Sequence, residues 1–311
     1  MRYIYFLLIF LFLLSCEKKE QVQTIEPISY SFNGEAFEKE GLASFFSWTE
    51  DRIPLVSAHR GGPYSGYPEN AIETFERVLG YTPAIIECDI AMTKDSVLVM
   101  MHDNTLDRTT NGSGPVIEKS WEEIQSLRLK DLDGKLTEFK VPTLQQVLEW
   151  GYGKALFTLD VKRGVPFQMV VDAVEKAKME NFAAIITYNA DAAALVHELN
   201  SDLMISVGIG NMAAYEAHKQ KGIPDENMIA FVGVSEPSAE HFEFLHSKKI
   251  STILGVLGNL DRQAIAKGDS IYAGFVQRGA DVLATDRPIE AARVISELWP
   301  TTSEKFKYIK K

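Results

Sequence analysis

Residues 84–103 read AIIECDIAMTKDSVLVMMHD, and the link Thr93-Lys94-Asp95-Ser96 in their middle decides the fold. Two apolar runs, Ala84–Asp89 and Val97–His102, flank that link. A crossover between parallel strands needs a dozen or more residues, so these two runs are predicted to be an antiparallel hairpin. Outward from the hairpin lie seven further strand-like runs: Leu55–His59, Ala155–Val161, Ala183–Tyr188, Leu203–Val207, Met228–Val232, Ile250–Leu254 and Asp281–Thr285. Helix-periodic segments fall between most of them, at Asn70–Leu79, Thr143–Trp150, Pro166–Met179, Ala190–Leu199, Met212–Lys221, Ala239–Ser247 and Asp261–Lys267. Such alternation implies an α/β fold with a parallel sheet under covering helices. Removing the hairpin's return strand from the nine runs leaves eight, the number of a (β/α)8 TIM barrel. A doubly wound open sheet is the competing architecture, but no glycine-rich dinucleotide fingerprint follows the first strand.

Between His102 and Thr143 the rhythm breaks for about 40 residues, too long for an ordinary loop. A small insertion is expected there, with a short helix opened by a capping box of Ser120 and Glu123. Thr143, after Pro142, is expected to cap the next helix.

Of the 311 residues 46% are hydrophobic and 24% charged, a globular composition, and the net charge is −11. With no Lys/Arg cluster before the last few residues, that charge repels phosphate backbones and argues against a nucleic-acid partner. An acidic protein that handles an anionic small molecule needs local cations to do so.

Residues 1–16 read MRYIYFLLIFLFLLSC, an apolar run from Tyr3 to Leu14 behind Arg2. The run is shorter than the roughly 20 residues that span a bilayer and fits an export signal. Its ending, Leu13-Leu14-Ser15-Cys16, resembles a bacterial lipoprotein signal, in which cleavage leaves the cysteine N-terminal and lipid-modified. The organisation expected is a signal peptide at 1–15 and a lipidated Cys16 with polar tether and lead-in at 16–50. The barrel follows at 51–300, with its insertion at about 103–142, and a C-terminal tail at 301–311 closes the chain. The lipid would hold the protein to a bacterial membrane, facing the periplasm or the cell surface. Cys88 is then the only thiol of the mature chain, expected buried in its strand.

In a barrel the reactive groups sit at the C-terminal ends of the strands. The first strand ends in His59-Arg60-Gly61-Gly62, and the second carries Glu87 and Asp89 on one face with Cys88 on the other. The return strand ends in His102-Asp103, and a later strand in Asp160-Val161-Lys162. Each feature alone has a structural explanation, a satisfied histidine or a surface ion pair. Together they crowd one rim with charge that is costly unless a ligand or metal compensates it. Three carboxylates suit a hard cation, Ca2+ or Mg2+, better than zinc. Two histidines kept off the metal can serve as general acid and base, and Arg60 and Lys162 can hold an anion. That inventory describes cleavage of a phosphate ester.

The string HRGG at 59–62, then Pro68-Glu69-Asn70, then IECDIAMTKDSVLVMMHDNTLDRTTNGSG at 86–114 closely resembles the glycerophosphodiester phosphodiesterase family. The resemblance continues through Val141-Pro142-Thr143-Leu144, Leu159-Asp160-Val161-Lys162 and Ala284-Thr285-Asp286-Arg287-Pro288, over about residues 53–295. It implies a (β/α)8 barrel with a small insertion after the His-Asp motif. It also implies a metal-dependent hydrolase that releases glycerol 3-phosphate and an alcohol from deacylated phospholipids. Carried over by motif, Glu87, Asp89 and Asp160 bind the metal, and His59 and His102 form the acid/base pair. Arg60 contacts the phosphate, Lys162 supports it, and Glu69 and Asn70 organise the rim.

Two departures stand out. The family usually has Glu at Asp160, and it commonly shows a Trp-Thr-x-Asn run where this chain has Ile253-Leu254-Gly255-Val256-Leu257-Gly258-Asn259. The missing indole removes a large wall of the glycerol-side pocket, so an unusual substrate is expected. Asp286, with Pro288 opening the next helix, suits a helix-start role as well as a ligand contact. The other histidines, His197, His218, His241 and His246, and the four tryptophans are read as packing residues. Competing functions are a phospholipase D-like or phosphoinositide-cleaving barrel and a non-catalytic lipoprotein that captures phosphorylated ligands.

Overall fold

The computed structural model of the protein describes residues 25–311. In chain order the strands are β1 (Ser31–Phe32), β2 (Leu55–Ala58), β3 (Ala84–Met92), β4 (Leu98–Met100), β5 (Arg128–Lys130), β6 (Leu136–Lys140), β7 (Leu156–Val161), β8 (Ala183–Thr187), β9 (Met204–Gly208), β10 (Met228–Gly233), β11 (Thr252–Gly255), β12 (Val282–Thr285) and β13 (Ile309–Lys310). Eight of them, β2, β3 and β7 to β12, pair in parallel in a closed ring. Val282 opposite Leu55 and Val56 opposite Ala84 complete the circuit through β2. The architecture is a (β/α)8 barrel. Its strands are almost continuously apolar because one face fills the barrel and the other meets a helix.

β4 is the return strand, antiparallel to the last residues of β3 with Ile90 opposite Met100. β3 is nine residues long and outruns its neighbours, so it serves the barrel at its start and the hairpin at its end. That bend of β4 back toward the rim brings His102 over the barrel mouth. The insertion contains the helix Trp121–Ile124, capped by Ser120 and Glu123, and the hairpin β5–β6. It has its own small core, in which Met101, Leu106, Val116, Ile124 and Leu129 pack together. Thr143 caps the helix Leu144–Gly151 through Gln146.

The described part of the lead-in and the tail both pack against the barrel. A helix covers Gly34–Phe46, broken at Gly41, and buries Phe37, Phe45 and Phe46. β1 pairs antiparallel with β13, and the Tyr308 ring lies 4.8 Å from that of Phe37, which also meets Phe182 just before β8. The Ser251 hydroxyl, just before β11, donates to the Phe46 carbonyl. These segments therefore close the N-terminal end of the barrel. The aromatic residues are scattered among Glu, Lys, Ser and Gly, so their stretch reads as polar although its few rings are what the open barrel end needs to bury. The signal at 1–15, Cys16 and the tether up to residue 24 lie outside the described residues. Among the described residues no helix is long and apolar enough to cross a membrane.

Candidate active site

The site begins where β2 stops. His59–Gly61 form a tight 3-10 turn in which Arg60 has φ 51°, the left-handed region that L residues adopt at a cost. The turn aims the Arg60 amide at Glu87, to whose Oε2 it donates at 2.7 Å. Gly61 has φ 80°, and a Cβ there would run into the Phe75 ring, so the turn admits no side chain at this position. Asn70, also left-handed at φ 59°, donates from Nδ2 to Asp89 Oδ2 and accepts the Asp89 amide. Two strained residues thus hold the two carboxylates of β3 in place.

Asp89 lies in register with Asp160 across the β3–β7 pair. Glu87, Asp89 and Asp160 each present an oxygen, and these oxygens lie within 4.8 Å of one another. Burial, together with the charge of Asp89, pushes Glu87 up to about 8. Burial also disfavours ionised Asp89, but the Lys162 ammonium and the Asn70 amide outweigh it and leave Asp89 below the usual carboxylate range. Lys162 Nζ bridges Asp89 Oδ1 and Asp160 Oδ2 at 2.6 Å each, and the Tyr188 hydroxyl donates to the other Asp160 oxygen at 2.8 Å. The cations beside the triad are Lys162 and, 3.9 Å from Asp89, the Arg60 guanidinium, while Glu87 gains only the Arg60 amide. A cluster of hard oxygens with a charge deficit is a donor set that fits a divalent cation such as Ca2+ or Mg2+.

Each histidine leans on a carboxylate through Nδ1: His59 on Asp286 at 2.7 Å and His102 on Asp103 at 2.8 Å. That leaves Nε2 of both rings for a ligand. Burial works against the His59 imidazolium, yet the Asp286 hydrogen bond and the Glu87 charge raise its pKa above the ordinary value. Asp103 in turn accepts from Nε and Nη2 of Arg108, and these bidentate bonds hold its carboxyl well below the usual range. Arg108 also makes two 2.8 Å bonds to buried Glu69, and Glu69 accepts from Arg60 at 3.2 Å. A chain of alternating charge thus runs from Arg60 to His102.

A cavity of about 340 Å3 opens over the barrel mouth, lined by His59, Glu87, Asp89, His102, Asp160 and Lys162 on one side. The structure therefore brings together both predicted histidines, all three predicted ligands and Lys162. Glu69 and Asn70 stand behind this lining, buried, where they position other groups. Arg60 lies beside them, with Nη1 on Glu69 and Nε 3.9 Å from Asp89. Cys88 is buried on the opposite face of β3, and burial raises its thiol.

Sequence reasoning missed Asp103, Arg108 and Tyr188 as working parts. The first two stand inside the motif at 86–114, and Tyr188 is a phenol at the C-terminal end of a barrel strand. Asp286 is settled as a histidine partner, its amide held by buried Asp261.

Residues 59–249 match the Glycerophosphoryl diester phosphodiesterase family. The chain is 34% identical to a glycerophosphoryl diester phosphodiesterase from Parabacteroides distasonis, and the crystal structure superposes with a TM-score of 0.84 over 91% of this chain and 99% of that one. It is 35% identical over 142 residues to a glycerophosphodiester phosphodiesterase from Caldanaerobacter subterraneus subsp. tengcongensis, a match that covers 43% of this chain and 58% of the relative. A phosphodiesterase from Oleispira antarctica, solved with the product sn-glycerol-3-phosphate, shares the fold at 17% identity and a TM-score of 0.61, over 78% of this chain and 97% of that one. The chain belongs to the glycerophosphoryl diester phosphodiesterase family.

Proposed function

We propose that this protein hydrolyses glycerophosphodiesters to glycerol 3-phosphate and an alcohol, with a bound divalent cation and two-histidine acid/base catalysis. The observation that carries the reading is the pair of imidazoles, each backed by a carboxylate, on one cavity with the acidic triad. Glu87, Asp89 and Asp160 would hold the cation, which when bound supplies positive charge for the phosphate oxygens. Lys162 and Arg60 add charge on the same side. One histidine takes the proton of the attacking oxygen, and the other returns a proton to the departing alcohol. Asp286 and Asp103 fix the ring orientations and stabilise the protonated forms.

The test is release of glycerol 3-phosphate from glycerophosphocholine or glycerophosphoethanolamine with Ca2+ or Mg2+ present. His59→Ala and His102→Ala should each lower kcat by roughly 10²- to 10⁴-fold, and chelation should abolish turnover. Undiminished hydrolysis in the double variant would sink the mechanism.

The apolar run Tyr3–Leu14 followed by Ser15-Cys16 supports export and lipid attachment of that cysteine to a bacterial membrane. Cys16→Ala should abolish labelling by a radiolabelled fatty acid and move the protein out of the membrane fraction. Retention of the label in that variant would refute the anchor.

A further inference from the structure

We propose that the catalytic end of the barrel lies against a phospholipid surface, seated by an apolar groove beside the mouth, a proposal that rests on lipid attachment at Cys16. The groove, of about 460 Å3, lies between the turn after β2 and the start of the helix Pro288–Ile295, and Asp286, the partner of His59, stands on its edge. Three large side chains line it while facing water: Tyr64 is 50% exposed, Leu132 61% and Ile265 68%. They come from three separate connections, the loop after β2, the β5–β6 turn and the short helix Asn259–Lys267 that follows β11. Two hydrogen bonds hold the first two connections together: Ser65 Oγ donates to Asp133 at 2.9 Å and the Gly66 amide to Asp131 at 2.7 Å. Both aspartates beside Leu132 are thereby engaged by protein, and the leucine is left as the apolar tip of its turn. Of the ten large apolar side chains exposed among the described residues, only Tyr152 and Leu195 lie elsewhere than in the insertion or between the end of a barrel strand and the first turn of its covering helix. Those connections emerge at the catalytic end, and apolar exposure gathered on one end marks a contact surface.

Two observations make lipid the occupant. The chain itself leads there: β1 pairs with β13 at the sealed end, the Ile28 amide donates to the Tyr81 carbonyl, and Ile25, the first described residue, lines the groove. Cys16 stands nine residues further upstream, a reach of at most about 32 Å, so an acyl chain on it is tethered to this groove. The second is Arg77, which also lines the groove. Its guanidinium lies 4.4 Å from the Tyr64 ring and 5.1 and 5.5 Å from those of Tyr67 and Tyr81, held by rings instead of by a carboxylate among the described residues. It can take a phosphate oxygen of a head group while Leu132 and Ile265 enter the acyl boundary. The net charge of −11 disfavours an anionic bilayer, so the surface that fits is zwitterionic. An anchor alone lets the barrel turn freely, whereas burial of these side chains fixes which end faces the lipid.

The experiment uses the full lipidated chain in phosphatidylcholine vesicles, with a thiol-reactive fluorophore on Leu132→Cys, Ile265→Cys or Tyr152→Cys. Cys88 is buried, so the parent chain should take up no label, and an unchanged melting temperature verifies each fold. On vesicles the labels at 132 and 265 should lose quenching by iodide and gain quenching by doxyl-labelled phosphatidylcholine, while the label at 152 keeps its iodide quenching. Adding Ile265→Asp should restore iodide quenching at 132. Equal iodide quenching at all three positions of vesicle-bound protein would overturn this inference and leave the anchor standing. Shielding from iodide without quenching by the doxyl lipid would also overturn it, because the occupant would then be residues 17–24 or a second copy of the chain. Protein that stays out of the vesicle fraction would overturn both the anchor and the docking.

Discussion

An imidazole on a protein rim is a proton carrier only if something holds its ring still, and here the holders are Asp286 and Asp103. Asp286→Asn keeps the size of the side chain but removes the charge that favours protonated His59. Its kcat should fall by roughly 10²-fold or more with a smaller effect on KM, read from steady-state kinetics on a glycerophosphodiester. An unchanged kcat would show that the carboxylate is dispensable. His59, His102, the carboxylate triad and Lys162 are legible in the sequence because each sits at a strand end, where period-2 alternation and the barrel rule say where it points. Arg108 is not legible in that way: its role depends on reaching Glu69 and Asp103 at once, and Glu69 is 39 residues away along the chain.

At the scale of elements, the turn after β2 couples fold to chemistry. Its left-handed Arg60 and its glycine exist so that the amide meets Glu87 while Phe75 packs underneath. Gly61→Ala should cost about 2–4 kcal/mol, from the unfavourable φ and from collision with a fully buried ring. Chemical denaturation would measure that loss, and activity should fall with it because His59 heads the same turn; a stability change near zero would contradict the packing argument. The β3–β4 hairpin and the Ser120 and Thr143 caps are local features, which is why four link residues, one capping box and one threonine after a proline sufficed to predict them. The closing segments at the barrel's other end are not local: β1 meets β13 across nearly the whole chain.

For the molecule as a whole, the buried triad ties stability to pH and to metal. Above the ordinary carboxylate value of 4.5 the unfolded chain ionises Glu87, whereas the folded protein, with Glu87 raised to about 8, keeps the proton. The folded state then binds more protons, so the metal-free protein should lose stability as pH rises from about 5 to about 8. His59, also raised, acts with the same sign, while Asp89 and Asp103, both lowered, have delivered their stabilisation by about pH 5. A divalent cation bound to the ionised triad should remove the decline, with a melting temperature that gains most from metal at the high end of the range. Melting curves in chelator and in excess Ca2+ between about pH 5 and pH 8.5 would check this; a metal-free melting temperature that climbs over that interval would contradict it.

The count of barrel strands, the antiparallel hairpin, the helix starts at Ser120 and Thr143 and the residue types gathered at one rim were determined by the sequence alone, because they depend on spacing and on neighbours a few positions away. Tertiary structure decided which carboxylate steadies which histidine, how Glu69 and Asn70 act from behind the cavity, and how the chain ends seal the barrel. It also decided that the charged side chains lining the cavity come from the ends of β2, β3 and β7 and from His102. Each of these is a contact between residues far apart in the chain, and no local periodicity records which distant side chains a closed barrel will set face to face.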